Sequence, residues 1–128
     1  GAVGVGIDIR TGRAVRAVQH NDPIEFHPDT NKDLYKLQVP QWDEVLHLAS
    51  SCYEMSGLGY IGTDIVLDKF KGPMLLELNA RPGMAIQTAN NAGLIPRLRL
   101  VEALTRRSNM SVEAKVAFAK KHFGVYNS

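Results

Sequence analysis

The sequence predicts an α+β fold, an antiparallel β-sheet with helices packed on it. Three observations carry that expectation: a hairpin pattern from Val3 to His20, a second from Tyr60 to Asn79, and apolar residues at helical spacing between and after them. At 128 residues the chain fits a single domain, residues 1–128, large enough to bury a core.

The first strand is expected from Val3 to Ile9, with a turn at Arg10-Thr11-Gly12-Arg13 and a return strand from Ala14 to His20. Gly1, Gly4 and Gly6 do not make a dinucleotide-binding loop, because that fingerprint needs a strand before it and a helix after it. In a strand these glycines permit close backbone approach instead. The segment Asn21 to Val39 holds two prolines and several Asx and Thr residues and reads mainly as loop, a place for substrate contacts.

A helix is expected from Pro40 to about Ser56, with Val45, Leu48, Ala49, Cys52 and Met55 on one face and Gly57 ending it. Trp42 reads as a packing anchor, since no basic stripe accompanies it. Ala85 to Gly93 reads as a short helix or loop, and Pro96 to about Arg107 as a helix. Ser111 caps a last helix ending near Phe123 and Gly124, with Val112, Val116, Ala119 and Phe123 as its apolar stripe and Lys115, Lys120 and Lys121 solvated. Arg97, Arg99, Arg106 and Arg107 form the most basic stretch and read as helix surface.

The most informative segment is Gly62 to Met84, GTDIVLDKFKGPMLLELNARPGM. Its strands, Tyr60 to Asp68 and Pro73 to Asn79, are joined by Lys69-Phe70-Lys71-Gly72 and should pair with each other. Alternation places Ile61, Thr63, Ile65 and Leu67 on the core face with Met74, Leu76 and Leu78. The other face carries Tyr60, Gly62, Asp64 and Val66, with Leu75, Glu77 and Asn79 on the partner strand. A symmetric hairpin sets Asp64 opposite Glu77, with Cβ atoms about 5 Å apart. Like charges so placed destabilise a sheet unless a cation lies between them. Two carboxylates and the Asn79 amide oxygen suit magnesium, which takes all-oxygen shells completed by water and phosphate. The competing reading makes Asp64 and Asp68 ordinary polar strand residues, with Glu77 paired to Lys69 or Lys71 and Arg81 paired to a nearby acid.

With the following Ala80-Arg81-Pro82-Gly83-Met84, the pattern resembles the ATP-grasp superfamily: an aspartate, a glutamate thirteen residues on, Glu-x-Asn, then Arg-Pro-Gly. It looks most like RimK-related alpha-L-glutamate ligase-like proteins, and GAVGVGIDIRTGRAVRAV, HPDTNKDLYKLQVPQWDE and SCYEMSGLGYIGTDIVLD share the likeness. The resemblance implies that Asp64 holds one magnesium, Glu77 bridges two and Asn79 holds the second, with manganese as a substitute. Arg81 would face the acyl phosphate or the substrate carboxylate. The implied chemistry is ATP-dependent activation of a carboxylate to an acyl phosphate, which an amine, such as an amino acid, attacks to form an amide.

The same resemblance maps the chain onto the second lobe of the ATP-grasp domain, its C-terminal half. The first, nucleotide-covering lobe and the adenine-reading hinge are expected upstream of Gly1, and the 128-residue piece alone is expected to be inactive. The alternative is a non-catalytic scaffold or interaction domain that keeps the ligase fold.

A hydrophobic content of 45% and a formal net charge of +2 argue against disorder and against a nucleic-acid surface. No apolar run approaches the ~20 residues a membrane helix needs. The lone Cys52 excludes an internal disulfide, points to a reducing compartment such as the cytoplasm, and reads as a buried inert thiol. His20, His27 and His47 lack zinc-site spacing, and self-association is left open.

Overall fold

In the computed structural model, residues 2–105 and 109–125 are described. The fold is α+β, with two antiparallel sheets and four α-helices along the described chain. It divides into two compact units. One comprises Gly1–Val39, Met84–Asn109 and Ala119–Ser128, the other Pro40–Gly83 and Met110–Phe118.

The first unit holds a three-stranded sheet, β1 (Val3–Ile7), β2 (Ala14–Gln19) and β3 (Asp22–Ile24), in sequential order. β1 stops two residues short of expectation because Asp8 leaves the ladder to close the turn: Gly12 N–H donates to Asp8 O at 2.8 Å. Segment 21–39 is less irregular than its composition implies. His20 and Asn21 both take positive φ, 51° and 70°, and turn the chain directly into β3. Pro23 is tolerated there because β3 lies at the sheet edge, where a missing N–H costs no ladder bond. A 3₁₀ turn, Leu34–Lys36, then packs on β2, and Leu34 joins Ala14, Ala17 and Val18 in the core.

The helix α2 (Ala85–Asn90) lies against β1 and β2. A glycine at position 6 makes this approach feasible. A Cβ there would sit 2.5 Å from Ala89 O and 2.7 Å from Asn90 Oδ1. Gly6→Ala must therefore displace helix backbone, and overpacking of this kind costs about 1–3 kcal/mol. Urea unfolding should show that loss, while Gly59→Ala, with open space around its Cβ, serves as the tolerated control.

The helix α3 (Ile95–Thr105) begins one residue before Pro96, and Arg97 sets its guanidinium 5.6 Å from the Phe123 ring centroid. Arg106 and Arg107 lie outside the described residues.

In the second unit, α1 runs Trp42–Ser56. Pro40 does not open it: Gln41 takes a left-handed φ of 52° as the N-cap, and the helix starts at Trp42, two residues after Pro40. Asp43 and Glu44 in the first turn suit the helix dipole, and Gly57 at φ 69° ends the helix by donating to Tyr53 O. Cys52 is buried and Val45, Leu48 and Ala49 are half-buried, as expected of the apolar face, but Met55 is 61% exposed. Burial pushes the Cys52 thiol pKa up, which suits an inert side chain.

Helix α4 (Val112–Phe123) is capped by Ser111, whose Oγ accepts the Ala114 N–H at 3.1 Å, and Val112 is buried. Lys115 is not simply solvated: its Nζ lies 4.4 Å from the Tyr53 ring centroid.

The sheet of this unit is the hairpin of β4 (Gly62–Asp68) and β5 (Gly72–Asn79), packed on α1. Its register departs from a symmetric hairpin. Asp64 pairs with Glu77, but Ile65 pairs with Leu75, so Leu76 is an extra residue on β5. The bulge exchanges the expected inward residue: Leu75 is half-buried opposite Ile65, whereas Leu76 is 70% exposed and Met74 and Leu67 are also exposed. Thr63, Ile65 and Leu78 keep their half-buried positions.

Candidate functional site

The carboxylates of interest stand on the last regular stretch of the hairpin, between the bulge and the exit of β5. Asp64 and Glu77 are directly opposed, and Gly62 is directly opposed to Asn79. Alternation puts Asp64, Glu77 and Asn79 on one face, and all three are exposed. The bulge at Leu76 sits immediately beside Glu77; such insertions bend a strand and re-aim the neighbouring side chain.

The turn after β5 is built by Asn79. Its Oδ1 accepts the Arg81 N–H at 2.9 Å, an Asx turn that sets the backbone of Arg81. Pro82 then folds back over the start of β4, where a Cβ on Gly62 would lie 2.9 Å from Pro82 Cβ and 3.6 Å from Asn79 Cβ. The glycine is what lets the loop close. Gly62→Ala should push Pro82 away and shift Arg81 and Asn79 together while the hairpin still pairs. Amide chemical shifts should change at residues 79–83 and stay in place near the turn at residues 69–72; unchanged shifts at 79–83 would refute the packing role.

Among the described residues neither Asp64 nor Glu77 has an ion-pair or hydrogen-bond partner; the expected alternative of a Glu77 pairing to Lys69 or Lys71 does not occur. Lys69 instead lies 5.6 Å from the Phe70 ring centroid. Arg81 likewise has no acidic partner. Two directly opposed carboxylates with no cationic side chain between them repel, and a divalent cation removes that cost. The donor set is all oxygen, and the Asn79 carbonyl retains a second lone pair beside its Arg81 bond, so these residues fit magnesium. No group of three or more His, Cys, Asp or Glu among the described residues offers a competing metal site, and His20, His27 and His47 do not gather. His27 has its own local role, its Nδ1 accepting the N–H groups of Asp29 and Thr30.

Reasoning from sequence missed Asp8. It is fully buried, and its carboxylate accepts Thr11 Oγ1–H at 2.6 Å, Val125 N–H at 2.8 Å and Arg10 N–H at 3.3 Å. Burial works to raise its pKa, but the Thr11 hydroxyl and the backbone donors outweigh it and hold the carboxyl below its ordinary range. The Asp-x-x-Thr-Gly spacing signals the turn; nothing local signals Val125.

The family model for sugar-transfer associated ATP-grasp proteins matches residues 1–103, a span that includes both sheets, α1, α2 and every residue of the hairpin site. The chain belongs to the sugar-transfer associated ATP-grasp family. Membership in the ATP-grasp superfamily brings ATP-dependent, ligase-type chemistry and the binding of ATP and a substrate. No curated protein and no solved structure matches the chain. Among the described residues no helix of this ATP-grasp protein is long and apolar enough to cross a membrane.

Proposed function

We propose that this chain is the magnesium- and ATP-phosphate-binding lobe, the C-terminal half, of a carboxylate-amine ligase domain related to the RimK-like glutamate ligases. The observation that supports it most is the unpartnered Asp64–Glu77 pair with Asn79 beside it on one face of the hairpin. Asp64 would hold one ion, Glu77 would bridge two and Asn79 would hold the second; the ions, when bound, supply positive charge to the phosphate oxygens.

In this reading a substrate carboxylate oxygen attacks the terminal phosphorus of ATP, the bond to ADP breaks, and an acyl phosphate forms. An amine, such as that of an amino acid, then attacks the acyl carbon. It loses a proton as phosphate leaves, giving the amide. Arg81, fixed at its backbone by the Asn79 Asx turn, offers a planar fork that fits a carboxylate or an acyl phosphate bidentately, which lysine cannot do. The buried, unpaired Cys52 agrees with a reducing, cytoplasmic setting.

The test is ADP release by the protein carrying this chain, with magnesium and pooled amino acids, with and without a chelator. Magnesium-dependent release that an amino acid stimulates is the expected result. A folded protein that releases no ADP with any carboxylate and amine offered would favour the scaffold reading.

A further inference from the structure

Loop 27–32 of the first unit is closed by a histidine where an aspartate or asparagine ordinarily stands. His27 Nδ1 accepts the N–H of Asp29 at 3.2 Å and that of Thr30 at 3.4 Å, two and three residues further on. Asp68 builds the same turn in the hairpin, its Oδ1 accepting Phe70 N–H at 2.9 Å and Lys71 N–H at 2.7 Å. Those donors, Lys71 first, hold the Asp68 carboxyl below its ordinary pKa range, so the hairpin turn keeps its acceptor near neutral pH. Pro28 supplies no N–H, so the amides of Asp29 and Thr30 are the first free donors after His27, and both converge on one ring nitrogen.

The rest of the loop hangs on the same residue. His27 N–H donates to Lys32 O at 2.9 Å, and His27 O accepts Asn31 N–H at 2.8 Å, with Asn31 at a φ of 53°. Phe26 and Asp33 bridge at its base. A neutral imidazole accepts at Nδ1 only when its proton is on Nε2, and an imidazolium is a donor at both nitrogens. Protonation therefore turns an N–H against the two N–H groups that the ring had held. The charged side chains of and around the loop are Glu25, Asp29, Lys32, Asp33 and Lys36. None of their carboxylates forms an ion pair with the His27 ring that would reward the charge, and Asp33 is occupied by Tyr35 N–H at 3.0 Å and Lys36 Nζ at 3.6 Å.

We propose that His27 is a proton-operated latch: loop 27–32 is closed while the imidazole is neutral, as its Nε2–H tautomer, and opens when the ring gains a proton at Nδ1. The direction follows from the acceptor, which exists at high pH and disappears as pH falls. Histidine ordinarily changes charge between about pH 8 and pH 5, so the latch works in that interval. Asp29, Thr30 and Asn31 are exposed, and the surface they make is held in one form above the transition and released below it. A turn closed by aspartate, as at Asp68, has no such dependence in this range. The latch stands independently of the ligase reading, because every bond in it lies within residues 26–36.

Nuclear magnetic resonance of the full chain tests it. Proton–nitrogen correlations of the histidine rings at about pH 8 should show His27 with Nδ1 unprotonated. Hydrogen exchange at the Asp29 and Thr30 amides, corrected for its intrinsic pH dependence, should lose at least about fivefold in protection between pH 8 and pH 5, the scale of one hydrogen bond. His27→Asn restores an Asx turn and should keep that protection at both pH values, although His20, His47 and His122 remain to titrate. His27→Ala should lose it at both. A His27 ring carrying its proton on Nδ1 at about pH 8 would overturn the proposal. So would wild-type protection that ignores pH, or a pH dependence that survives in His27→Asn.

Discussion

Asp8→Ala should destabilise the first unit by about 3 kcal/mol or more, a large fraction of the 5–15 kcal/mol that ordinarily separates folded from unfolded chains. The alanine removes the charged acceptor of the Thr11 hydroxyl and of the Val125 and Arg10 N–H groups, and a hydrogen bond to a charged group is worth about 1.5–3 kcal/mol. Asp8→Asn should cost less, because it keeps one carbonyl oxygen and the same volume while losing the charge. The loss has a location as well as a size. The Val125 bond joins residues 117 positions apart, and Gly124 approaches Arg10 so closely that a Cβ would lie 2.9 Å from Arg10 Cβ. Hydrogen exchange at the Val125 amide should therefore rise far more in Asp8→Ala than exchange in β2.

The same carboxylate predicts the acid limb of stability. Its folded pKa is lowered relative to an unfolded value of about 3.9. The unfolded chain then binds the proton more readily, so the contribution is fully present above about pH 4 and is lost as pH falls through the folded pKa. Wild-type stability should drop over that window, and the drop should be shallower in Asp8→Asn. Equal acid slopes in the two proteins would exclude Asp8 as a source.

How much of this was legible in the sequence depends on the range of the interaction. Gly57 as the end of α1, Ser111 as the cap of α4, and the pairing of Asp64 with Glu77 across the hairpin all follow from residues a turn or a hairpin apart. The bulge at Leu76 was not legible, because Met74-Leu75-Leu76 reads equally well with either leucine inward. β3 was missed because Pro23 suggests a loop, whereas an edge position tolerates it. The Asp8 to Val125 bond needs the end of the chain brought back to its first turn, a closure that no local pattern encodes.

Glu77→Gln should separate the cost of the site from its use. In the wild-type chain two carboxylates face each other across β4 and β5 with no protein cation between them. Without divalent metal, the glutamine should therefore stabilise the hairpin by about 0.2–1 kcal/mol, since it removes a like-charge cross-strand pair and almost no volume. Asp64→Asn should do the same. Added magnesium should raise the melting temperature of the wild type and leave both variants nearly unmoved, because stabilisation by a ligand follows its affinity for the folded state. ADP release should fall by at least about 100-fold in Glu77→Gln, the scale on which loss of a charge at a phosphoryl-transfer centre is felt. The combination distinguishes a metal site from a structural pair. A surface carboxylate that merely packs or pairs would lose stability on amidation and show no magnesium response in either form. Residues held against their own repulsion gain stability when disarmed and lose the chemistry, which is the signature of a functional site that the fold bears at a cost.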